Sequence, residues 1–451
     1  MRVLIIGGGG REHALAWKLM QEEPTLALLA APGNPGIAEL AECISIGTGE
    51  IAALAALARE RSVDLTIVGP EAPLAAGIVD HFRAAGLPIF GPTKAAAEIE
   101  TSKAFAKQLM LDEGIPTARA EMHTQVTAAK DAARRFGAPV VIKASGLAAG
   151  KGVIICQSFA EADQAIDDML EGNRFGAAGA EVLVEEFMEG EEISLFAITD
   201  GTSYVILPGL QDHKRLKDGD VGPNTGGMGA YLPVTLAMNS DQQASEQADQ
   251  AISQHAQASL IVGQALRALE RRGRAFTGLL YAGLMVTRTG PKVVEFNCRF
   301  GDPETQALMP VLSIRPRLLD LMLAIGRGER IAGCLEKDAP GGVSPSRVEL
   351  SGACVTVVLA AADYPDTPRF GDLITLPPVE DGVFVFHAGT TRDAEGRLIT
   401  SGGRVLAVSA VASTIAAARS RSLDYAGRIG FAGKQFRRDI GWREIARHVH
   451  A

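Results

Sequence analysis

The chain has 451 residues, 44 Lys plus Arg against 53 Asp plus Glu, a formal net charge of −9 and a hydrophobic share of 47%. That length suits two to four packed units, the apolar share excludes a disordered chain, and the acidic balance argues against a dedicated nucleic-acid binder. Five cysteines, none in a C-x-x-C pair, speak against a disulfide framework or a thiolate zinc site and fit a reducing, cytoplasmic compartment.

Residues 1–100 read as strands alternating with helices. Val3–Ile6 is a short buried strand that runs into Gly7–Gly10, and it is too short for a signal peptide. A helix is expected from His13 to Gln21, then strands near Leu26–Ala30, at Leu65–Val68 and at Pro88–Phe90, the last stopping at Gly91-Pro92. Such alternation predicts an open parallel sheet with ligands beyond the carboxyl ends of the strands. The first loop is not a dinucleotide fingerprint. G-x-G-x-x-G from Gly7 or Gly8 needs glycine where Glu12 or His13 stands, and the second strand ends in Pro32-Gly33-Asn34 without an acidic residue. Amides at a helix start still suit a phosphate, and a purely structural tight turn fits equally.

Thr101-Ser102 caps a helix carrying Phe105 and Leu109, and Gly114 and Pro116 end it. Residues 117–190 then form a compact α+β pattern, with strands at 140–143, 153–156 and 182–186 and a helix near 160–170. Between two of those strands lies Lys143–Gly152. It has three residues between Gly146 and Gly150, and Lys151 is followed by Gly152, so it is not a Walker A loop. A glycine-rich hairpin with a Lys at each end suits either a triphosphate or a solvated surface turn.

From 191 to 330 strands are expected at 193–199, 203–208, 279–286 and 292–297, with a long helix near 241–271. The run Glu295–Glu304 follows the last strand. Glu295 and Asn297 share one strand face and offer hard oxygen ligands of the kind that hold Mg²⁺ against nucleotide phosphates. Arg299 falls on the same side if the strand continues, and Asp302 and Glu304 add carboxylates. Phe296 and Cys298 alternate with them, so the polar face fits a cleft or bulk water. A joint at residues 340–345 leads to a part with strands at 353–361, 373–376, 383–388 and 404–408 and terminal helices. No stretch approaches the roughly 20 apolar residues of a membrane span.

Together, Gly7–His13, Gly69–Leu74, Ser102–Phe105, Lys143–Gly152, Gln211–Arg215, Asp218–Gly222, Pro223–Ala230 and Glu295–Glu304 resemble the glycinamide ribonucleotide synthetase (phosphoribosylamine–glycine ligase) family of ATP-grasp enzymes. The tail Phe436–Gly441 is similar to the family's end. Ser145 departs from the Asp that many members carry. The resemblance implies a multidomain α/β and α+β protein with the ATP-grasp fold, an N-terminal open parallel sheet domain and a β-rich C-terminal domain. The division expected is 1–100, a linking helix at 101–116, a lid at 117–190, a central ATP domain at 191–330 and a C-terminal domain at 331–451.

The activity implied joins glycine to 5-phosphoribosylamine in purine biosynthesis with ATP and Mg²⁺ or Mn²⁺, through glycyl phosphate. The partners are small molecules, with neither nucleic acid nor membrane, in a monomer or weak dimer. For ATP the resemblance points to Lys103, Lys143, the loop residues Ser145, Gly146, Gly150, Lys151 and Gly152, the hinge strand with Glu185, Glu186, Phe187 and Met188, and Glu192 for the ribose hydroxyls. Glu295 and Asn297 take the metal, and Arg299 clamps an anion, catalytic together with Lys143. The second substrate falls to Gly8, Gly9 and Gly10 for its phosphate, Asp212, Lys214, Asn224, Thr225, Gly226, Gly227, Asp302, Pro303 and Glu304. Asp212 and Asp302 both suit the glycine ammonium. His213 is a weak candidate for a general base, because a free amine scarcely needs one.

Three other readings compete. A bicarbonate-using carboxylase of the same superfamily is disfavoured by Gln211–Arg215 and Pro223–Ala230. A nicotinamide oxidoreductase lacks the third glycine and the acidic residue. A non-catalytic nucleotide sensor is at odds with the full set Glu295, Asn297, Lys103, Lys143 and Arg299.

Overall fold

The computed structural model describes residues 1–146, 152–172, 179–235, 244–333 and 347–449. Strand Arg2–Gly7 is central to a parallel sheet, flanked by Ala27–Pro32 and Leu65–Val68, with Glu42–Cys43 and Ile89–Phe90 at the edges. Val3, Leu4, Ile5 and Ile6 are all fully buried. They read as an unbroken apolar run because helices cover both sheet faces. Helix Gly10–Glu22 starts directly at the carboxyl end of that central strand.

The chain then makes two helices, Lys94–Thr101 and Lys103–Asp112, broken at Ser102. Ser102 closes the first, and its hydroxyl accepts from the Phe105 N–H to cap the second. The first of these helices was not expected from the sequence.

The lid is a four-stranded antiparallel sheet in the order Ala120–His123, Val182–Glu186, Val140–Ala144, Val153–Cys156, covered by helices Val126–Phe136 and Phe159–Leu170. Its core is its own. Val140, Ile142, Ala144, Val182 and Val184 pack with helix residues such as Ala129, Ala133, Ala162 and Ile166. Because strand residues alternate, Lys143, Leu183 and Glu185 are left on the opposite face, toward the rest of the protein.

The central sheet runs Tyr204–Ile206, Glu191–Thr199, Gly278–Thr287, Gly290–Asn297, all antiparallel. One core cluster runs from Leu4 to Cys298, so the N-terminal and central parts are packed as one body. The C-terminal sheet has the order Gln211–Asp212, Gly229–Leu232, Ala353–Ala360, Arg404–Ala412, Val383–His387. Two of its strands therefore come from inside the 191–330 segment. Residues 373–376, expected as a strand, make only the isolated bridges Leu373–Ile399 and Thr375–Gly430. Among the described residues no helix is long and apolar enough to cross a membrane.

Candidate active site

A cavity of roughly 160 Å³ lies between helix Lys103–Asp112, the inner face of the lid and the end of strand Gly290–Asn297. Lys103, Lys107, Lys143, Glu185, Glu295, Asn297 and Arg299 line it, with Gly152 at its lid side. The core of this wall is Glu185. One carboxylate oxygen lies 3.0 Å from Lys107 Nζ, the other 2.7 Å from Lys143 Nζ, and all three side chains are almost wholly buried. Burial alone would raise the Glu185 carboxyl, but the ammonium groups of Lys143 and Lys107 hold it below its ordinary value. Lys107 also donates to Thr117 Oγ1 at 2.7 Å, and Lys143 to the Val294 carbonyl at 3.3 Å.

Glu295 and Asn297 meet as their spacing predicts, with Asn297 Nδ2 3.4 Å from Glu295 Oε1. Burial pushes the Glu295 carboxyl up, but Lys214, Lys143 and Lys103 outweigh it and keep the group ionised. Burial lowers the Lys103 ammonium, which Glu295 partly offsets. One carboxylate and one amide oxygen beside this cationic cluster match a Mg²⁺-type ion that takes its remaining ligands from phosphate and water. Among the described residues no group of three or more His, Cys, Asp or Glu forms a closed metal cage. The donor set therefore fits a shared ion and not a structural one.

Ser145 has a different place from the one expected. Its carbonyl accepts from the Lys103 N–H at 2.7 Å and its hydroxyl from the Ala104 N–H at 3.2 Å. With Ser102 on Phe105, three first-turn amides of the helix are satisfied by protein, so Ser145 acts here as a helix cap. Lys103 Nζ donates to the Gly146 carbonyl at 3.1 Å. Gly150 and Lys151 lie outside the described residues.

On the hinge strand only Leu183 and Glu185 face the cavity. The Glu186 side chain turns away to Arg119, 2.6 Å from its Nε, because strand alternation sends it to the far side. Phe187 is exposed and Met188 half-buried. Glu192 is ion-paired through Oε1 with Lys214, itself expected on the second substrate. Burial would lower the Lys214 ammonium, but Asp212, Glu192 and Glu295 hold it up.

Asp212 stands beside this pair. Burial pushes its carboxyl up to about 7, Lys214 opposing and Glu304 and Glu192 assisting. Its carboxylate accepts no side-chain or backbone hydrogen bond among the described residues. Asp302 is already engaged, by Gln306 Nε2 at 2.8 Å and Arg404 Nη1 at 3.2 Å. Glu304 is buried, accepting from Tyr281 OH at 2.7 Å and Ser194 Oγ at 2.9 Å, so it is an internal anchor and not a substrate contact.

The first glycine loop also needs correction. The Gly9 N–H donates to Glu12 Oε2 at 2.6 Å, so the chain's own carboxylate sits at the helix start expected to take a phosphate. A Cβ on Gly8 would lie 2.3 Å from the Gly33 carbonyl and one on Gly10 2.5 Å from Gln306 Nε2. Packing against backbone demands the glycine at Gly8, whereas at Gly10 the neighbour is the end of a flexible side chain. Likewise a Cβ on Gly227, at φ +111°, would strike Pro303 at 2.5 Å, so the close approach there is between two protein loops. Thr225 Oγ1 donates to the Lys214 carbonyl at 2.8 Å, Gly226 N–H donates to Tyr364 OH at 3.0 Å, and Asn224 ends the short strand Val221–Asn224.

The strand stops at Asn297, so Arg299 reaches the cavity from the following loop. It is held between Glu100, at 3.1 Å, and Glu71, at 3.3 Å, and Glu100 also accepts from the Cys298 N–H at 2.7 Å. His213 is buried, its Nε2 accepts from the Gly441 N–H at 3.0 Å, and its Nδ1 lies 3.6 Å from Asp220 Oδ1. Sequence reasoning passed over Lys107, Glu71, Glu100, Arg11 and Arg404. Lys107 carried a signal in its i, i+4 spacing from Lys103 on one helix face, and Glu71 and Arg11, to which no role was given, in the Gly69–Leu74 and Gly7–His13 runs.

Three family models match the chain. These are the phosphoribosylglycinamide synthetase N domain over residues 1–100, its ATP-grasp (A) domain over 101–305 and its C domain over 354–443. The phosphoribosylamine–glycine ligase of Xanthomonas campestris is 47% identical, and that of Vibrio cholerae 45%, each alignment covering at least 99% of both chains. The crystal structure of phosphoribosylamine–glycine ligase from Thermotoga maritima superposes with a TM-score of 0.79 at 33% identity, over 98% of this chain and all of that one. A biotin carboxylase from Campylobacter jejuni shares the fold at 16% identity, with a TM-score of 0.69 over 96% of this chain and 92% of that one.

Proposed function

The chain belongs to the phosphoribosylglycinamide synthetase family of ATP-grasp ligases, and from that membership we propose how its residues divide the work of the reaction. It is an ATP-dependent ligase that joins glycine to phosphoribosylamine in purine biosynthesis, acting on small molecules.

In the proposed course a glycine carboxylate oxygen attacks the γ-phosphorus of ATP, ADP leaves, and glycyl phosphate forms. The amine nitrogen of phosphoribosylamine then attacks the acyl carbon, the carbon–oxygen bond to phosphate breaks, and the nitrogen gives up a proton. Bringing two anions together makes charge neutralisation and positioning the main tasks. Lys103 and Lys143 neutralise nucleotide phosphate oxygens. Glu185 and Lys107 hold Lys143 in place. Glu295 and Asn297 would hold Mg²⁺ or Mn²⁺, which supplies Lewis-acid polarisation of phosphate oxygen when bound. Arg299, kept in orientation by Glu71 and Glu100, faces the transferring group. Leu183 and the backbone of the hinge meet the adenine, and Gly152 borders the phosphates from the lid side of the cavity.

Asp212 takes the glycine ammonium, because its carboxylate has no other hydrogen-bond donor among the described residues and Asp302 has two. An arriving ammonium lowers the Asp212 carboxyl from its raised value and so keeps it charged. Asn224–Gly227, Asp302 and Arg404 line the side of the amine substrate. The assembly expected is a monomer or weak dimer in the cytoplasm.

The observation that carries this reading is the gathering of Lys103, Lys143 and Lys214 around the half-buried Glu295. The test is ADP release with Mg-ATP, with and without glycine and with phosphoribosylamine made in situ. Release that needs both substrates supports the assignment. Release with bicarbonate in place of glycine would overturn the substrate choice.

A further inference from the structure

The ribbon formed by Arg215–Lys217 and Val221–Asn224 is the one part of the substrate wall with no sheet of its own. Its two strands pair only with each other. A lone two-stranded hairpin is marginal in water, and most of this one is exposed. It nevertheless joins two sets of residues that must be placed accurately, Asp212 and Lys214 before it and Asn224–Gly227 after it.

The C-terminal tail supplies the missing support. Arg437 is fully buried. Its Nη1 donates to Asp220 Oδ1 at 2.7 Å and to the Arg215 carbonyl at 3.1 Å, so it grips one strand and the turn. Its Nε and Nη2 form a fork on Asp439, each at 2.7 Å, and Asp439 Oδ2 accepts from the Gly219 N–H at 2.8 Å. The Arg438 N–H donates to Asp218 Oδ1 at 2.7 Å. The turn that receives these bonds runs through the left-handed region, Gly219 at φ +74° and Asp220 at φ +55°. A rigid planar guanidinium that places two bonds on the hairpin and two on Asp439, which itself holds the hairpin's Gly219 N–H, fixes the ribbon's register and angle.

We propose that Arg437 is a positioning residue for the amine-substrate side of the site, clasping the Arg215–Asn224 ribbon so that Asn224–Gly227 stand in their binding geometry. This rests on the reading that those residues face the substrate and not the nucleotide. Lys103, Lys143 and Glu185 have no contact with the clasp, so ATP binding is independent of it.

The test measures equilibrium binding of glycinamide ribonucleotide, the stable product, and of ATP, by calorimetry on the full chain. Arg437→Met should weaken product binding at least tenfold with ATP affinity within twofold, and Arg437→Lys should recover part of the loss. If Arg437→Met does not fold, Asp439→Asn breaks the same fork from a partly exposed partner and should show the same split. Equal weakening of both ligands, or none, in a folded variant overturns the clasp. Asn224→Ala separates the two levels. If it weakens product binding and the Arg437 and Asp439 variants do not, the clasp is wrong. If it leaves product binding unchanged, the substrate assignment fails and the clasp with it.

Discussion

Arg404 donates from Nη1 to the Asp302 carbonyl at 2.7 Å and lies 3.2 Å from the Asp302 carboxylate. The same nitrogen reaches the Gly226 carbonyl at 2.6 Å. One guanidinium on a strand of the C-terminal sheet therefore ties together two loops from the 191–330 segment.

Loss of that tie should be felt by the amine substrate. Arg404→Met is expected to lower kcat/KM for phosphoribosylamine by about 10–100-fold, the equivalent of one or two charge-assisted hydrogen bonds. KM for ATP should stay within twofold. Steady-state kinetics with each substrate varied in turn will show whether the loss is confined to that side.

Glu185 is the counter-charge for two buried lysines. In Glu185→Gln the amide still accepts one hydrogen bond, but the lysines lose their neutralising charge, and destabilisation of about 3 kcal/mol is expected from denaturant unfolding. Adding Lys107→Met removes one of the stranded charges. The double variant should thus be less unstable than the sum of the two single losses, and simple additivity would show that the three groups are not coupled.

For Glu295→Gln the expected outcome is a fall in metal-dependent turnover by orders of magnitude with the circular-dichroism spectrum unchanged. The side chain keeps its size and an acceptor for Asn297, so the strand end survives while the charged ligand is lost. An unchanged rate would remove Glu295 from the metal site.

Acid should loosen the seam between the N-terminal and C-terminal parts. The His387 N–H donates to His13 Nδ1 at 2.8 Å, and Asn34 Nδ2 donates to the carbonyls of His387, at 2.8 Å, and Gly8, at 2.9 Å. Burial, with His387 nearby, pushes the His13 imidazole down to about 3, and burial with Arg392 pushes His387 down to about 4. Both folded-state values lie below the ordinary 6.5. Their contribution is thus complete above pH 6.5 and is lost as pH falls from there toward 4 and 3. The slope is up to about 1.4 kcal/mol per pH unit for each ring. His387→Gln should roughly halve this dependence between pH 6.5 and 4.5, as read from unfolding free energies across that range.

The parallel sheet was legible because its longer strands are mostly apolar runs closed by Gly or Pro, and the lid strands because Val and Ile cluster between polar turns. Gln211–Asp212 and Gly229–Leu232 could not be placed by such signals. They are short, and their sheet partner, Ala353–Ala360, lies more than 100 residues away. In the site, residue type and spacing brought out Glu295 and Asn297, the family resemblance added Lys103 and Lys143, and the structure brings all four to one cavity. What the sequence hid was occupancy. Glu12 fills the helix start after Gly7–Gly10, Ser145, expected in the ATP loop, caps the helix at Lys103, and Glu304 is spent on Ser194 and Tyr281. In each case a side chain of the protein takes the place that chemistry alone would have offered to a ligand.

The bond between Arg437 and Asp220 spans 217 residues of chain. At translation rates of 5–20 residues per second, that separation amounts to roughly 10–40 s. A growing chain can fold its nucleotide-facing strands and still carry the Arg215–Asn224 ribbon unclasped for that whole interval. The wall for the amine substrate is thus finished only when the tail has left the ribosome, so a chain halted early would be able to hold ATP before it could hold the molecule that the ATP is meant to serve.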